Sequence, residues 1–379
     1  MGGLKLASPP LFKGSSFVSG LSAFVFVMAF ATGCGSGTSA APVVPAPNPN
    51  TTWVPVGNTG MTGNVYIISS PNGNLFAASN SGGGFARSSD HGMTWSPFNN
   101  GSPSTCHWGM GISDQGELIS GSLSNMSVAG CFNITPYMLV LPGNSNTWTV
   151  APIPQPPAPQ MAFLISVGVA KGNVIAAGSG GLYYSTDHGY HYQQPQTTPA
   201  PGSCGEKLSL ATQPDGTIYV ETAVCGPYYS KDGGVSWTAL GTPPGVKRPT
   251  DNTNFTAPNG FLLASWNSWG IFCYGPQSAP NGTWSSCSAG HDNRVGIMEG
   301  GWATNVAKTK IFAANGGFGD GVWLSTDNGM SWSAFNTGLP PDPHTRFGGA
   351  DVRAITMDNS GFLYAILNSG PVYKTATPQ

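Results

Sequence analysis

Four octapeptides in this 379-residue chain share one pattern: Ser88-Ser89-Asp90-His91-Gly92-Met93-Thr94-Trp95, Ser185-Thr186-Asp187-His188-Gly189-Tyr190-His191-Tyr192, Ser230-Lys231-Asp232-Gly233-Gly234-Val235-Ser236-Trp237 and Ser325-Thr326-Asp327-Asn328-Gly329-Met330-Ser331-Trp332. The residue types suit a tight turn between two strands. Aspartate accepts backbone N–H bonds across the turn, glycine supplies a positive φ, and the closing aromatic packs between neighbouring sheets. Asp90, Asp187, Asp232 and Asp327 are therefore read as structural and not catalytic. They lie 97, 45 and 95 residues apart, so a period near 46 skips one copy twice. Degenerate copies fill both gaps, Asn144-Ser145-Asn146-Thr147-Trp148 and Asn281-Gly282-Thr283-Trp284.

The pattern resembles the Asp-box, or BNR repeat, Ser-x-Asp-x-Gly-x-(Thr/Ser)-Trp, with His191 and Tyr192 replacing the last two residues of the second copy. Aromatics opening an outer strand run Trp95, Trp148, Tyr192, Trp237, Trp284 and Trp332. Seven short turns recur with the same period: Pro71-Asn74, Ser113-Gly116, Lys171-Asn173, Pro214-Gly216, Pro258-Gly260, Lys308-Lys310 and Asp358-Gly361. Each precedes a short β-rich run such as Leu75-Phe76-Ala77-Ala78. At the C-terminal end, Pro371-Val372-Tyr373-Lys374-Thr375 reads as a third strand lacking its fourth, whereas Thr52-Trp53-Val54-Pro55-Val56 has no strands before it. Joining them predicts an all-β, seven-bladed β-propeller of four-stranded blades over residues 52–379, closed by pairing the N-terminal strand (about 52–56) with the C-terminal blade. One ring burying one continuous core replaces the two or three domains that length alone suggests.

Composition agrees. The 54 glycines and 33 prolines become turn punctuation. Only 8% of residues are charged, against a usual ~25%. With 14 basic and 16 acidic residues there is no basic excess for phosphate contacts, which excludes nucleic acid as partner. A 40% hydrophobic and 11% aromatic content excludes charge-rich disorder.

Ahead of the ring, Lys5 and Lys13 precede an apolar run from Phe17 to Ala31. Fifteen residues span about 22 Å as a helix, short of the ~30 Å hydrocarbon core, so residues 1–33 read as a signal peptide. Ala31-Thr32-Gly33-Cys34 resembles the bacterial lipobox, which implies a lipid on Cys34. Residues 34–51, rich in Ala, Pro and Ser, form a linker. The expected product is a monomeric lipoprotein of the bacterial cell envelope, on the outer membrane or cell surface and facing periplasm or exterior. Its membrane contact runs through the lipid alone. Six cysteines then remain, Cys106, Cys131, Cys204, Cys225, Cys273 and Cys287. Of fifteen possible pairings, the blade assignment favours neighbours: Cys106–Cys131, Cys204–Cys225 and Cys273–Cys287. No CxxC occurs, and no metal or cofactor is expected.

Propeller topology sorts residues by face. First-to-second and third-to-fourth turns share one face with the boxes. Second-to-third loops and interblade links share the other, around the central channel. Eight acids fall on that second side: Glu206, Glu221, Asp251, Asp292, Glu299, Asp320, Asp342 and Asp351. Arg248, Arg294, Arg346 and Arg353 join them, with His107, His291 and His344, and Trp108, Trp266, Trp269 and Trp302 nearby. The densest stretches are His291-Asp292-Asn293-Arg294 and Asp342-Pro343-His344-Thr345-Arg346.

Proteins with this repeat include sialidases, xyloglucan-cleaving glycoside hydrolases, sortilin-type receptors and photosystem II assembly factors, so the resemblance implies the architecture and not the reaction. A glycosidase needs two carboxylates about 5–10 Å apart and aromatic platforms. Asp292, Glu299, Asp342 and Asp351 are the candidates, with Trp266, Trp269 and Trp302 as platforms. The sialidase family resemblance would imply an early Arg-Ile-Pro segment, which the chain lacks. The expected role is a non-catalytic binding or assembly scaffold, capturing an envelope protein, peptide or glycan on a face bearing arginines, histidines and tryptophans. Glycoside hydrolysis is the alternative.

Overall fold

The computed structural model describes residues 52–122, 137–143, 145–154, 164–178, 181–197, 207–222, 225–242, 253–266, 270–275, 283–291, 297, 301–315, 319–345, 348–368 and 370–379. All belong to the unit Ala46–Gln379; the unit Met1–Pro45, with Cys34, lies outside the described residues. Every regular element among the described residues is a strand, and the strands form seven antiparallel sheets. Their inner strands are Val65–Ser69, His107–Ile112, Leu164–Ala170, Lys207–Thr212, Thr253–Thr256, Trp302–Thr304 and Val352–Met357, in blades one to seven. Six blades have four strands. In the third, a single pair between Tyr184 and Gln193 takes the outer strand's place. The seventh blade obtains its outer strand from the other end of the sequence, where Trp53–Asn58 pairs with Pro371–Thr375.

Alternation along the second strands explains why these segments are mostly apolar. Leu75 and Ala77 face the seventh blade, while Phe76 and Ala78 face the second. A strand covered on both faces is apolar at most positions, and the polar side chains these strands carry, such as Ser120, Glu221 and Ser265, are themselves buried. The core is accordingly divided and not continuous. Seven clusters form, one at each interface between adjacent blades. In the interface between blades three and four, Ile175, Ala177 and Leu182 meet Ile218, Val220 and Trp237. Each wedge is closed off from the next by a sheet whose hydrogen-bonded backbone runs between them.

The boxes repeat one hydrogen-bond set. Each serine hydroxyl donates to the aspartate at 2.7–2.8 Å and accepts the glycine N–H at 2.8–2.9 Å. The same aspartate oxygen takes the N–H of the residue four positions on at 2.9 Å. Its second oxygen takes that residue's side chain at 2.5 Å. The Thr94 hydroxyl, then its N–H and Ser88, hold the Asp90 carboxyl down at about 2. Two consecutive residues adopt left-handed backbone, and not the glycine alone: His91 and Gly92 have φ of 58° and 84°, Asn328 and Gly329 of 60° and 90°. This limits the position before the glycine to His, His, Gly and Asn in the four copies. The glycine itself touches the preceding blade. A Cβ on Gly234 would stand 2.7 Å from Ile175, and one on Gly329 2.7 Å from Leu263.

A second joint runs around the perimeter. The N–H groups of Trp53, Trp148 and Trp332 each donate, at 2.8 Å, to the chain leaving the preceding blade, at Thr337, Asn100 and Ala289. Their indole N–H groups reach the same segments, at the carbonyls of Phe335 (2.7 Å), Phe98 (2.8 Å) and Cys287 (2.9 Å). A left-handed glycine follows each backbone acceptor: Gly338, Gly101 and Gly290, where a Cβ would stand 2.1–2.3 Å from the tryptophan carbonyl oxygen. Each of these glycines lies six residues after an outer-strand tryptophan, Trp332, Trp95 and Trp284.

Trp53 completes this joint where the ring closes. It is 2% exposed and packs edge-on against Phe335 at 5.8 Å. Trp53→Ala is expected to cost about 3–5 kcal/mol, read from urea unfolding. A loss below about 1 kcal/mol, the scale of a surface change, would show that the ring closes without this side chain.

Candidate functional site

Each inner strand enters from the interblade side, so its first residues form the end of the channel opposite the boxes. Four inner strands are bulged within these residues, between Trp108 and Met110, Leu164 and Ser166, Lys207 and Ser209, and Val352 and Ala354. A bulge re-aims the side chain at its site. Here it sets hydroxyls against the next blade: Ser166 Oγ accepts the Leu210 N–H and Ser209 Oγ the Asn254 N–H, both at 3.1 Å. On another inner pair Thr356 Oγ1 accepts the Ser69 N–H at 3.1 Å.

These strands enclose a central cavity of about 200 Å³, lined among others by Tyr66, Gly109, Ser166, Ser209, Asn254 and Trp302. Phe255 and Trp302 stack at 5.3 Å with planes 9° apart, and the Trp302 indole N–H donates to Thr253 at 2.8 Å. Tyr66 carries Trp108 at 5.6 Å on the first and second blades. Asn254 is 4% exposed, and neither its amide nitrogen nor its oxygen has a hydrogen-bond partner.

The charged candidates separate. Arg353, the extra residue in the seventh blade's bulge, donates to Asp351 at 2.6 Å and to Asn64 on the first blade at 2.8 Å. Asp351 is 5% exposed, and this ion pair commits it. Asp342 accepts the N–H of His344 at 2.9 Å and its ring nitrogen at 3.1 Å in a surface turn. The His344 N–H first, then the His344 ring and the charge of Arg353, hold Asp342 below the usual carboxylate range. That is the wrong direction for a general acid. His291 packs beside Trp323 at 4.9 Å in the wedge between blades five and six, 6% exposed and away from the cavity lining. Asp292, Glu299, Arg248, Arg294, Arg346, Trp269 and the Trp266 side chain lie outside the described residues. A disulfide joins Cys273 and Cys287, with Cα atoms 5.7 Å apart. Cys106 and Cys225 are also disulfide-bonded, while Cys131 and Cys204 lie outside the described residues.

Reasoning from charge misses the lining itself. Tyr66, Ser166, Ser209, Asn254 and Phe255 are uncharged and stand in no motif. The signal available is positional: a hydroxyl or amide at the second or third residue of an inner strand. Glu221 is fully buried on the second strand of blade four and is engaged by a neighbour.

His107 serves packing. It is fully buried, stacked on Phe85 at 4.0 Å, which stacks in turn on Trp148 at 4.2 Å. Burial pushes its pKa down to about 4, against the opposing bond to the Ser104 carbonyl. The unfolded chain takes up this proton near pH 6.5 and the folded ring only near 4. Stability from the neutral ring is thus complete above pH 6.5 and lost as pH falls to 4. The loss is about 3 kcal/mol. Urea unfolding between pH 7 and 4 should show this slope, and His107→Phe should flatten it by that amount.

A family model for the BNR/Asp-box repeat matches residues 228–239, which hold the third box. No curated protein matches the sequence. Similar solved structures include YCF48 from Cyanidioschyzon merolae, at 16% identity and a TM-score of 0.57 over 86% of this chain and 98% of that one. A structure of YCF48 bound to D1 peptide matches at 15% identity and 0.57 over 86% and 94%. The GH74 xyloglucanase from Xanthomonas campestris matches at 16% identity and 0.60 over 84% of this chain and 53% of that one. At such identities the likeness is one of fold. Repeat, sheet order and neighbours agree: the chain carries the Asp-box repeat and has the seven-bladed β-propeller fold.

Proposed function

We propose that the protein is a lipid-anchored envelope lipoprotein whose ring is a non-catalytic scaffold, binding a protein segment or glycan at the channel end opposite the boxes. The observation that carries this reading is the character of that end. Its cavity is lined by hydroxyls, an amide and aromatic rings, while the nearby Asp351 and Arg353 neutralise each other. Such a lining gives hydrogen bonds and apolar contact, the means of recognition, and among the described residues brings no free carboxylate pair for proton transfer. The neighbouring YCF48 structure with its D1 peptide offers a precedent for peptide capture on this fold. The xyloglucanase offers one for hydrolysis.

The two roles separate in one experiment. The protein, presented with peptide and glycan arrays and with xyloglucan and a fluorogenic sialoside, should retain ligands and release no product. Turnover that disappears in Asp292→Ala or Asp342→Ala would overturn the scaffold reading. Anchoring has its own test. In a bacterial host, Cys34→Ser should abolish labelling by a radioactive fatty acid and move the protein from membrane to soluble fraction; unchanged labelling would exclude Cys34 as the lipid site.

A further inference from the structure

We infer that the central cavity is a binding site for one neutral sugar residue. This rests on the binding role above and names its ligand. The Asn254 carboxamide lines the cavity, 4% exposed, with both polar atoms unpartnered. A buried amide in that state costs free energy that a ligand can return. Beside it, Ser166 and Ser209 already accept backbone N–H bonds through their oxygens. Each hydroxyl keeps its proton to donate. The lining also includes the stacked Phe255 and Trp302, with Met110, Val167 and Leu210.

The ligand must therefore present several acceptors and at least one donor, together with some apolar surface. A sugar ring does both, since every hydroxyl gives and takes a bond and its C–H face rests on an aromatic ring. A simple amide would complete Asn254 but leave the two serine protons unanswered. A charged ligand is disfavoured, because among the described residues no Asp, Glu, Lys or Arg lines the cavity and an unpaired charge would lose its water. About 200 Å³ corresponds to six or seven waters at ~30 Å³ each, room for one ring and no more.

The test titrates the full chain with methyl glucoside, methyl galactoside and N-acetylglucosamine, following heat and tryptophan emission. At least one should bind in the millimolar range or tighter. Asn254→Leu and Asn254→Ser should each weaken it by about tenfold or more, equal to about 1.4 kcal/mol, without lowering the melting temperature. Should neither variant fold, the side-chain amide signal of Asn254 in ¹⁵N spectra of the wild-type protein must still move on adding sugar. The inference is overturned by absence of neutral-sugar binding at tens of millimolar, by unaltered affinity in a folded variant, by an unmoved amide signal, or by preference for glucuronate or acetamide. Array ligands still held by Asn254→Leu would sink the cavity site while leaving the scaffold reading standing, whereas product release would sink the scaffold reading alone.

Discussion

Pairing of Trp53–Asn58 with Pro371–Thr375 is the constraint on which the other contacts depend. A blade's two faces are both apolar, and neither can be buried within the blade itself. In an open row, the first and last blades would each expose a face. Closure gives every face a partner, so seven blades produce seven interfaces and the second strands can be mostly apolar. The boxes and the tryptophan joints then work between blades as much as within them. A box glycine rests on the previous sheet, and an indole N–H holds the chain leaving it.

Much of this was readable from residues. The box spacing counts the blades, the turn residues place the inner hairpins, and the unmatched segments at residues 52–56 and 371–375 give the closure. These features are local, set by turn chemistry that one short stretch specifies. The division of the core was not readable. Alternation is masked where both faces are buried, because Leu75, Phe76, Ala77 and Ala78 look alike to a pattern search although they serve two interfaces. The glycine six residues beyond an outer tryptophan was present in the sequence, but its meaning depends on a backbone carbonyl from the next blade.

The candidate site was less legible for a related reason. Charge is scarce, so charged side chains draw attention to the interblade end of the channel. Yet Arg353 and Asp351 satisfy each other, Asp342 is held by its own turn, and His291 fills an interblade wedge. What lines the cavity is uncharged and comes from six strands whose convergence no linear pattern records. Of this lining the sequence singles out Trp302, which stacks on Phe255, a neighbour 47 residues away in sequence.

The hydrogen bond between Asn254 and Ser209 separates two duties that are fused elsewhere in the ring. At Ser166 and Ser209 the side chain is itself the staple, so replacing it loosens a joint. At Asn254 the staple is the backbone N–H, and the side chain is left to face the cavity. Selection could exchange that one side chain and change what the ring accepts without first compensating for lost rigidity. Lineages of this protein should diversify there, while the serines on the preceding blades stay fixed.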